Sequence, residues 1–390
     1  MTKMSTWTTE TAEMMETSPP HPGSAAPNIS TFLDSEFRYI LFPVAYGIIF
    51  VLGLLANAYV LFVMRNLRKL KRMGEIFIYM TNLTVADLLF VSALPFWIGY
   101  YSRHGHWVYS DFMCRLTGSF FFINTYCSIL FLGAITVNRH WAVVRPLDAA
   151  SSDHRCRGIV VCIIIWGLTI SMAIPSLMNP GIQTDQNNIT RCFEGFQNQT
   201  DNEKKLIAAI HLVIIAAFFV VFFLIVVCNS LTARALVFGN TPQCSTRSKS
   251  SLSRKSRALQ TLLAVVAVFA LCFLPHHVIQ GPWTLAVLQI QKGWGQVDWD
   301  QNTLQALNDT HQITLLFMGL NCLLDPVVYF FATTRFRKYI MAHIKKIGKG
   351  EGCSQTAVTD MSLESRKQSL ADQSLRQHPG HKLADGNICN

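Results

Sequence analysis

The chain has 390 residues, of which 51% are hydrophobic and only 14% are charged, and its mean hydropathy is +0.29. Because soluble domains contain about 25% charged residues, this composition excludes a soluble enzyme or a disordered scaffold and requires lipid to solvate part of the surface. The formal charge of +10 does not indicate nucleic-acid binding, because the basic residues lie in short patches between hydrophobic segments.

The first 39 residues are rich in Ser, Thr, Pro and acidic residues and contain no continuous apolar stretch. A segment of this kind cannot bury enough apolar surface to fold, and it lacks the hydrophobic region of a cleaved signal peptide. We therefore predict that residues 1–39 form a disordered tail and that the apolar stretch after them is an uncleaved insertion signal.

Seven apolar stretches follow the tail, and each is long enough to cross a bilayer. A membrane-crossing helix needs about 20 such residues, because without water every backbone amide must bond within its own helix. The predicted spans cover residues 40–64, 76–102, 116–138, 158–184, 206–233, 258–291 and 310–334. Residues 40–334 are therefore predicted to form an all-α membrane protein, a seven-transmembrane helix bundle.

The distribution of Lys and Arg predicts the orientation of this bundle. Of the 33 basic residues, 25 lie after spans one, three, five and seven, and 8 lie in the tail or after the even-numbered spans. Since positive charge is retained in the cytoplasm, the amino terminus is predicted to be extracellular, in a multi-pass protein of the plasma membrane. Four sequons, at Asn28, Asn188, Asn198 and Asn308, fall in segments placed outside, and the first three are predicted to be glycosylated.

The segment after span seven, residues 335–347, is predicted to be a short amphipathic helix on the inner leaflet. Its apolar residues recur at helical spacing among basic residues, as in interfacial helices. Residues 348–390 are rich in Ser and Thr and are predicted to form a disordered cytoplasmic tail. Within this tail Cys353 is a candidate for palmitoylation, and an unmodified thiol is the alternative.

Polar side chains inside the spans must decide what the bundle does, because such groups are expensive in lipid and usually functional. In chain order they include Asn57, Asn82, Asp87, Asn138, Arg139, Trp166, Asn321, Asp325 and Tyr329. Together with Pro275 and Pro326, this ordered set resembles the rhodopsin-like G-protein-coupled receptors. The resemblance implies a receptor without enzymatic activity that takes an extracellular ligand, signals through a heterotrimeric G protein, and is recognised by receptor kinases and arrestin.

The resemblance also implies a switch, in which span six swings outward about a proline and opens an inner cleft for the G protein. The residues assigned to this switch are Asn138, Arg139, Phe273, Pro275, Asp325, Pro326 and Tyr329. Three of them depart from the family, because Asn138 replaces an acid, Phe273 replaces Trp and Asp325 replaces the usual Asn. Without an adjacent acid for Arg139, the active and inactive populations should lie closer, so some basal signalling is expected.

Two further sites follow from the resemblance. Cys114 and Cys192 both face the oxidising outside and are expected to form a disulfide, with two free thiols as the alternative. An allosteric Na⁺ is expected at Asp87 with Ser128 and Asn321, because oxygen ligands suit a hard cation. The alternative is a protonated Asp87 within a polar network. No other cofactor is expected.

The ligand site is expected at the outer ends of the spans. Phe121 stands where amine receptors have an Asp, and span seven has no Lys for a retinal Schiff base, so both ligand classes are disfavoured. The expected lining residues are Tyr46, Trp97, Tyr101, Phe121, Phe122, Phe193, His211, His276, His277, Gln280, His311 and Gln312. His and Gln can donate hydrogen bonds to a phosphate, and aromatic faces attract a quaternary ammonium, so we expect a phospholipid mediator. For His211 alone, a satisfied core residue is the alternative.

Three rival functions remain. A related receptor for a nucleotide, a peptide or another lipid would keep the switch and change the pocket. A membrane transporter predicts inverted repeats with broken helices, and no such repeat is recognisable in the sequence. A membrane hydrolase predicts a zinc or nucleophile constellation, and the eleven cysteines include no pair at metal-binding spacing.

Overall fold

The structure is a computed structural model that describes residues 34–70, 74–145, 154–184, 188–194, 200–238, 249–287 and 300–348. The predictions for most of the amino-terminal tail and for the cytoplasmic tail lie outside the described residues. The same holds for the glycosylation sites Asn28 and Asn198 and for Cys353.

Long helices build the described chain. The first five spans are α1 (Arg38–Leu70), α2 (Glu75–Tyr101), α3 (Asp111–Val144), α4 (His154–Met178) and α5 (Asp201–Phe238). The sixth span consists of α6 (Lys249–Val268), a π-helical turn (Phe269–Phe273) and α7 (Leu274–Val287). The seventh consists of α8 (Gln301–Gly319) and α9 (Asn321–Ala332), and α10 (Thr334–Gly348) follows. Among the described residues, seven stretches are long and apolar enough to cross a membrane, which confirms the predicted bundle.

Most helices are longer than the predicted spans. The third span was predicted over residues 116–138, for example, but α3 runs from Asp111 to Val144. An apolar criterion stops at the first charged residue, whereas a helix continues through charged residues whose side chains reach the membrane surface. Local capping then sets some of these ends: the Ser110 hydroxyl accepts a hydrogen bond from the backbone N–H of Met113 at 3.3 Å.

The prediction for the fourth span was wrong at its outer end. Residues 158–184 were predicted to be helical, but α4 ends at Met178 and residues Ile182–Thr184 form strand β1. Pro180 explains the difference, because proline disfavours a helical conformation in the residue before it. The strand pairs antiparallel with β2 (Thr190–Cys192) to form a hairpin with Ile182 opposite Cys192.

The buried side chains form an inner and an outer cluster. The inner cluster joins α1, α2, α3, α5, α6 and α9 around aromatic residues such as Phe131, Phe269 and Tyr329. The outer cluster packs Phe42 and Tyr101 between α1 and α2, with ring centroids 4.5 Å apart. Large apolar side chains elsewhere remain exposed on the bundle, and this is the surface that lipid covers.

The amphipathic helix α10 packs against the inner end of α1. The amide of Asn66 donates a hydrogen bond to the Tyr339 hydroxyl at 3.1 Å, and the Tyr59 hydroxyl lies 2.9 Å from Nδ1 of His343. Phe336 and Tyr339 are buried, whereas Ile344 is exposed. The helix therefore uses one apolar edge against the bundle and leaves another for the membrane surface.

An ion-pair network closes the outer end of the bundle. Arg38, which is only 1% exposed, pairs with Asp34 at 3.2 Å and with Glu194 after the hairpin. Arg191 on β2 pairs with the same two acids, at 3.2 and 3.6 Å. Burial lowers the pKa of Arg191, but a hydrogen bond to Tyr39 and the charges of Glu194 and Asp34 outweigh it and raise the pKa above its ordinary value. The network therefore holds the start of α1 and the hairpin together as charged partners.

Removing the cation at the centre of this network should destabilise the protein. Arg38→Met leaves the Glu194 carboxylate without its buried partner, at a cost of about 3 kcal/mol. Adding Glu194→Gln should recover part of the loss, because the unpaired charge is then gone. Thermal unfolding of the purified protein measures both effects. A double variant as unstable as Arg38→Met alone would contradict this account.

Candidate functional site

A disulfide and a carboxylate fix the outer hairpin to α3. Cys114 and Cys192 are bonded with an S–S distance of 2.02 Å, as the family resemblance implied. Oδ1 of Asp111 accepts hydrogen bonds from the backbone N–H groups of Gly181 and Ile182 at 2.8 and 3.1 Å. The hairpin is thus attached at both strands, and the residue after Cys192 has a defined position.

That residue, Phe193, lies against the outer part of α3. Its backbone has a φ of +53°, and its N–H donates to the carbonyl of Gly181 at 2.8 Å. A Cβ added to Gly118 would lie 2.3 Å from Cε2 of the Phe193 ring, so only glycine leaves room for the ring there. Phe193 is 39% exposed, so one side of its ring remains accessible at the outer end of the bundle.

Imidazoles from α7 and α8 meet below the outer ends of the helices. The rings of His276 and His311 have centroids 4.9 Å apart, and His311 stacks on Trp283 at 4.1 Å. The Thr314 hydroxyl donates its single proton to the His311 carbonyl at 2.6 Å. Nδ1 of His276, 3.1 Å from the same hydroxyl oxygen, must therefore be the donor in that contact. This fixes the tautomer of neutral His276 and leaves its Nε2 unprotonated.

His277 is the neighbour of His276 and has a different environment. Its Nδ1 donates to the carbonyl of Phe273 at 2.9 Å, and its Nε2 lies 3.5 Å from the Tyr126 hydroxyl. Its ring also stacks on Phe218 with centroids 3.8 Å apart. The side chain is 1% exposed, so its polar atoms and its ring face are both used within the core.

Several buried polar atoms near the histidines have no partner among the described residues. They are Oε1 of Gln280, Oε1 of Gln312 and Nδ1 of His311, on side chains that are all less than a tenth exposed. His211 on α5 contributes another imidazole, with Nδ1 3.2 Å from the Thr284 hydroxyl. Because an unpaired polar group in an apolar interior costs about 1–3 kcal/mol, such a cluster is expected where a polar ligand binds.

The predicted aromatic residues divide into two groups. Tyr46 and Tyr101 are buried within the outer cluster, and the Arg38 guanidinium lies 5.6 Å above the Tyr101 ring. Trp97 is only partly buried, and its Nε1 has no partner within the described chain. Phe121 and Phe122 on α3 are also partly buried. Trp97, Phe121, Phe122 and Phe193 therefore keep accessible ring faces, whereas Tyr46 and Tyr101 pack against other side chains.

Two carboxyl groups lie in the middle of the bundle. Asp87 and Asp325 are both fully buried, and none of their four carboxyl oxygens has a hydrogen-bond partner in the described residues. Nearby, the Asn321 amide donates to the Ser128 hydroxyl at 2.8 Å and accepts from the Asn124 amide at 3.2 Å. The oxygen-rich set fits a hard cation, since the carboxyl oxygens remain available as ligands.

The switch residues lie along the inner half of the bundle. Phe273 ends the π-helical turn, and Pro275 follows it in the first turn of α7. Pro275 has no N–H to donate, and the preceding N–H, of Leu274, bonds to the carbonyl of Phe269 in a π-type pattern. The irregular backbone is therefore the five residues before the proline that the sequence identified. Pro326 lies inside α9, next to Asp325.

Tyr329 and Arg139 are loosely held at the inner end. The Tyr329 hydroxyl accepts only a long hydrogen bond from Thr84, at 3.4 Å. Arg139 forms no ion pair with any residue that the structure describes, and its Nε has no partner there. Asn138, by contrast, donates through its amide to the carboxylate of Glu75 on α2. Sequence reasoning missed Glu75, because it lies one residue before the predicted second span.

Two sequons can be located in the structure. Asn188 is exposed in the hairpin, with a φ of +60°. Asn308 was placed in an outer connection, and this was wrong, because it lies within α8. Its side chain is 6% exposed and accepts a hydrogen bond from Nε1 of Trp283 at 3.1 Å. A helical, buried asparagine cannot accept a glycan, so Asn308 gives no support to the topology.

Comparisons with known proteins agree with this arrangement. Residues 56–329 match the family described as 7 transmembrane receptor (rhodopsin family). The chain is 42% identical over 343 residues to the platelet-activating factor receptor of Homo sapiens, covering 87% of this chain and 95% of that protein. It is 43% identical over 334 residues to the same receptor of Bos taurus, covering 84% and 93%. To a purinoceptor of Rattus norvegicus it is 33% identical over 306 residues, covering 78% and 77%.

Proposed function

We propose that this chain, which belongs to the rhodopsin family of seven-transmembrane receptors, is activated by platelet-activating factor reaching it from outside the cell. As a G-protein-coupled receptor it is a multi-pass protein of the plasma membrane, and it binds a ligand without changing its covalent bonds. Its output is nucleotide exchange on a heterotrimeric G protein. The orientation with the amino terminus outside rests on the distribution of Lys and Arg.

The observation that carries the ligand assignment is the set of unpaired polar groups in the outer half of the bundle. Gln280, Gln312 and His311 each have a buried polar atom without a partner in the described structure. Amide groups can turn to present N–H donors, and an imidazole can take up a second proton. His276 would then offer Nε2–H to a phosphate oxygen while its Nδ1–H stays bonded to Thr314.

Aromatic side chains supply the second half of the recognition. A choline headgroup carries a quaternary ammonium, which is attracted to the faces of aromatic rings within about 6 Å. Trp97, Phe121 and Phe193 keep accessible ring faces. A phosphate beside the histidines and a cation over these rings describe a choline phospholipid, and the apolar lining suits its chains.

A nucleotide is the second candidate, since a purinoceptor is among the relatives. A nucleotide phosphate chain carries several negative charges and requires unpaired cations. The buried outer arginines do not supply them, because Arg38 and Arg191 are both ion-paired to Asp34 and Glu194. The relatives are receptors, so the membrane-transporter alternative loses its support as well.

The inner half supports a receptor that signals weakly without ligand. Arg139 has no ion pair among the described residues that would hold it in the inactive state. The two states should therefore differ by less free energy than in receptors with such a pair. Exchange by the ligand-free receptor is expected to exceed the rate of the G protein alone, and equal rates would contradict this proposal.

The remaining proposals concern partners and modifications. Ser and Thr between residues 354 and 369 are proposed to recruit receptor kinases and arrestin, and phosphorylation-dependent arrestin recruitment checks this. Asn188 is exposed and is proposed to carry a glycan, which a mobility shift on glycosidase treatment would reveal.

G-protein dissociation in cells tests the ligand. Platelet-activating factor should trigger dissociation, and its deacetylated form should not, because the pocket must distinguish lipids that differ in one acyl group. Cells that express Arg139→Ala at the same surface level are the control for signalling through this receptor. Indifference of the wild type to both lipids would leave the family and remove the ligand.

The adjacent histidines allow a matched test of the pocket. His276→Phe keeps the ring volume but removes the donor to phosphate, so the potency of the lipid should fall about tenfold to a hundredfold with surface expression intact. His277→Phe should lower the thermal stability, because the Phe273 carbonyl loses its donor, with much less effect on potency. The reverse pattern would show that His277 and not His276 meets the ligand.

We also propose that Na⁺ binds at Asp87 with Ser128 and Asn321 and favours the inactive state. Replacing Na⁺ by a large organic cation at constant ionic strength should raise ligand-free exchange about fivefold, within the usual range of allosteric coupling. The Asp87→Asn variant should show no such dependence. An undiminished effect of Na⁺ on that variant would place the ion elsewhere and favour a protonated Asp87.

A further inference from the structure

Three helices meet at one buried carboxylate on the inner side of the bundle. Glu75, the first residue of α2, is 3% exposed. One of its oxygens lies 2.5 Å from Nη2 of Arg157 on α4, and the other accepts a hydrogen bond from the Asn138 amide on α3. Glu75 therefore binds the residue directly before Arg139 and a cation from a third helix at the same time.

The surroundings of Glu75 favour its charged form at this position. Acidic residues are stabilised in the first turn of a helix, where the backbone N–H groups are unpaired and point toward the amino-terminal end. The Arg157 guanidinium supplies a full positive charge and also lies 5.0 Å above the ring of Trp141 on α3. A buried carboxylate with a cation and an amide donor is a satisfied group and not a source of instability.

Close packing of α4 against α2 makes the contact possible. A Cβ added to Gly158, next to Arg157, would lie 3.4 Å from both Cα and Cγ of Glu75 and 3.1 Å from Cδ1 of Ile78. A larger residue than glycine would push α4 away by a few tenths of an ångström. Gly158 therefore lets Arg157 reach the carboxylate from one turn of α4.

These contacts explain what replaces the acid that relatives have at position 138. The acid of the inner side is supplied by α2, and Asn138 is its donor partner. The negative charge is consequently paired with Arg157, and Arg139 forms no ion pair with the described residues. The turn of α3 that carries Arg139 is held in place through its neighbour, whereas the Arg139 guanidinium is left for another partner.

We infer that Glu75 is the positioning residue of the G-protein contact: through Asn138 and Arg157 it fixes the inner turn of α3 so that Arg139 meets the G protein in a defined place. The inference rests on the proposed receptor function. It concerns α2, α3 and α4, which form the side of the inner cleft opposite the mobile sixth span. Loss of the contact should reduce nucleotide exchange by the assembled receptor while ligand binding, at the opposite end of the bundle, is preserved.

A charge exchange between positions 75 and 138 tests the contact. Asn138→Asp sets two carboxylates against each other, so exchange on the G protein should fall about tenfold, the factor for one lost charge-assisted hydrogen bond. Adding Glu75→Gln to that variant restores one amide and one carboxylate with their roles reversed. The double variant should therefore recover exchange to near the wild-type rate, although it contains more substitutions.

The experiment uses full-length receptor in lipid nanodiscs with its G protein, with and without platelet-activating factor. Each rate is divided by the amount of folded receptor, and the affinity for the lipid and the thermal stability are measured on the same samples. Arg157→Gln should reduce exchange like Asn138→Asp, whereas Arg68→Gln, the same change at an exposed arginine of α1, should not.

The outcomes separate the inference from the ligand assignment. A wild type that ignores the lipid contradicts the ligand alone, since the pattern of the four variants can be read in the ligand-free rates. A double variant that exchanges no faster than Asn138→Asp would overturn the inference. So would a set of variants in which thermal stability changes and exchange per folded receptor stays constant, because a merely structural contact would give that result.

Discussion

The absence of water inside the bilayer governs this protein more than any single contact does. Each polar group within the spans must find a partner in the protein or remain costly. Most of them are paired: Trp166, for example, donates to Asn82 at 3.0 Å, and Asn57 bonds to the carbonyls of Gly53 and Cys322. The groups that remain unpaired in the described chain are therefore informative. They lie at three levels, among the outer histidines, at Asp87 and Asp325, and at Arg139.

These levels correspond to the ligand, the ion and the G protein in the proposed mechanism. The outer level is assembled by rigid parts, because the disulfide and Asp111 fix the hairpin and the Arg38 network fixes the start of α1. The inner level has a fixed side, held by Glu75, and a side that can move, where a π-helical turn precedes Pro275. A ligand that draws the outer ends of α7 and α8 together can therefore shift the inner end of the sixth span.

The spans and the family could be predicted from the sequence because lipid imposes long apolar stretches and makes intramembrane polar residues conspicuous. Contacts between distant residues could not. Glu75 meets Asn138 and Arg157 only after three helices pack, and the pairing of Arg38 with Glu194 requires the hairpin to fold back over α1. His276 and His277 are adjacent and chemically identical in the sequence. Only Phe218 and Thr314, from other helices, give them different roles.

The central claim is that a phospholipid phosphate completes the hydrogen bonding of the outer imidazoles. Nitrogen-15 NMR of histidine-labelled receptor in nanodiscs tests it most directly, with and without a saturating amount of platelet-activating factor. We predict that both ring nitrogens of His276 become protonated in the complex, with the His277 signals unchanged. A His276 that keeps one proton and an unaltered chemical shift while the lipid activates the receptor would contradict the account.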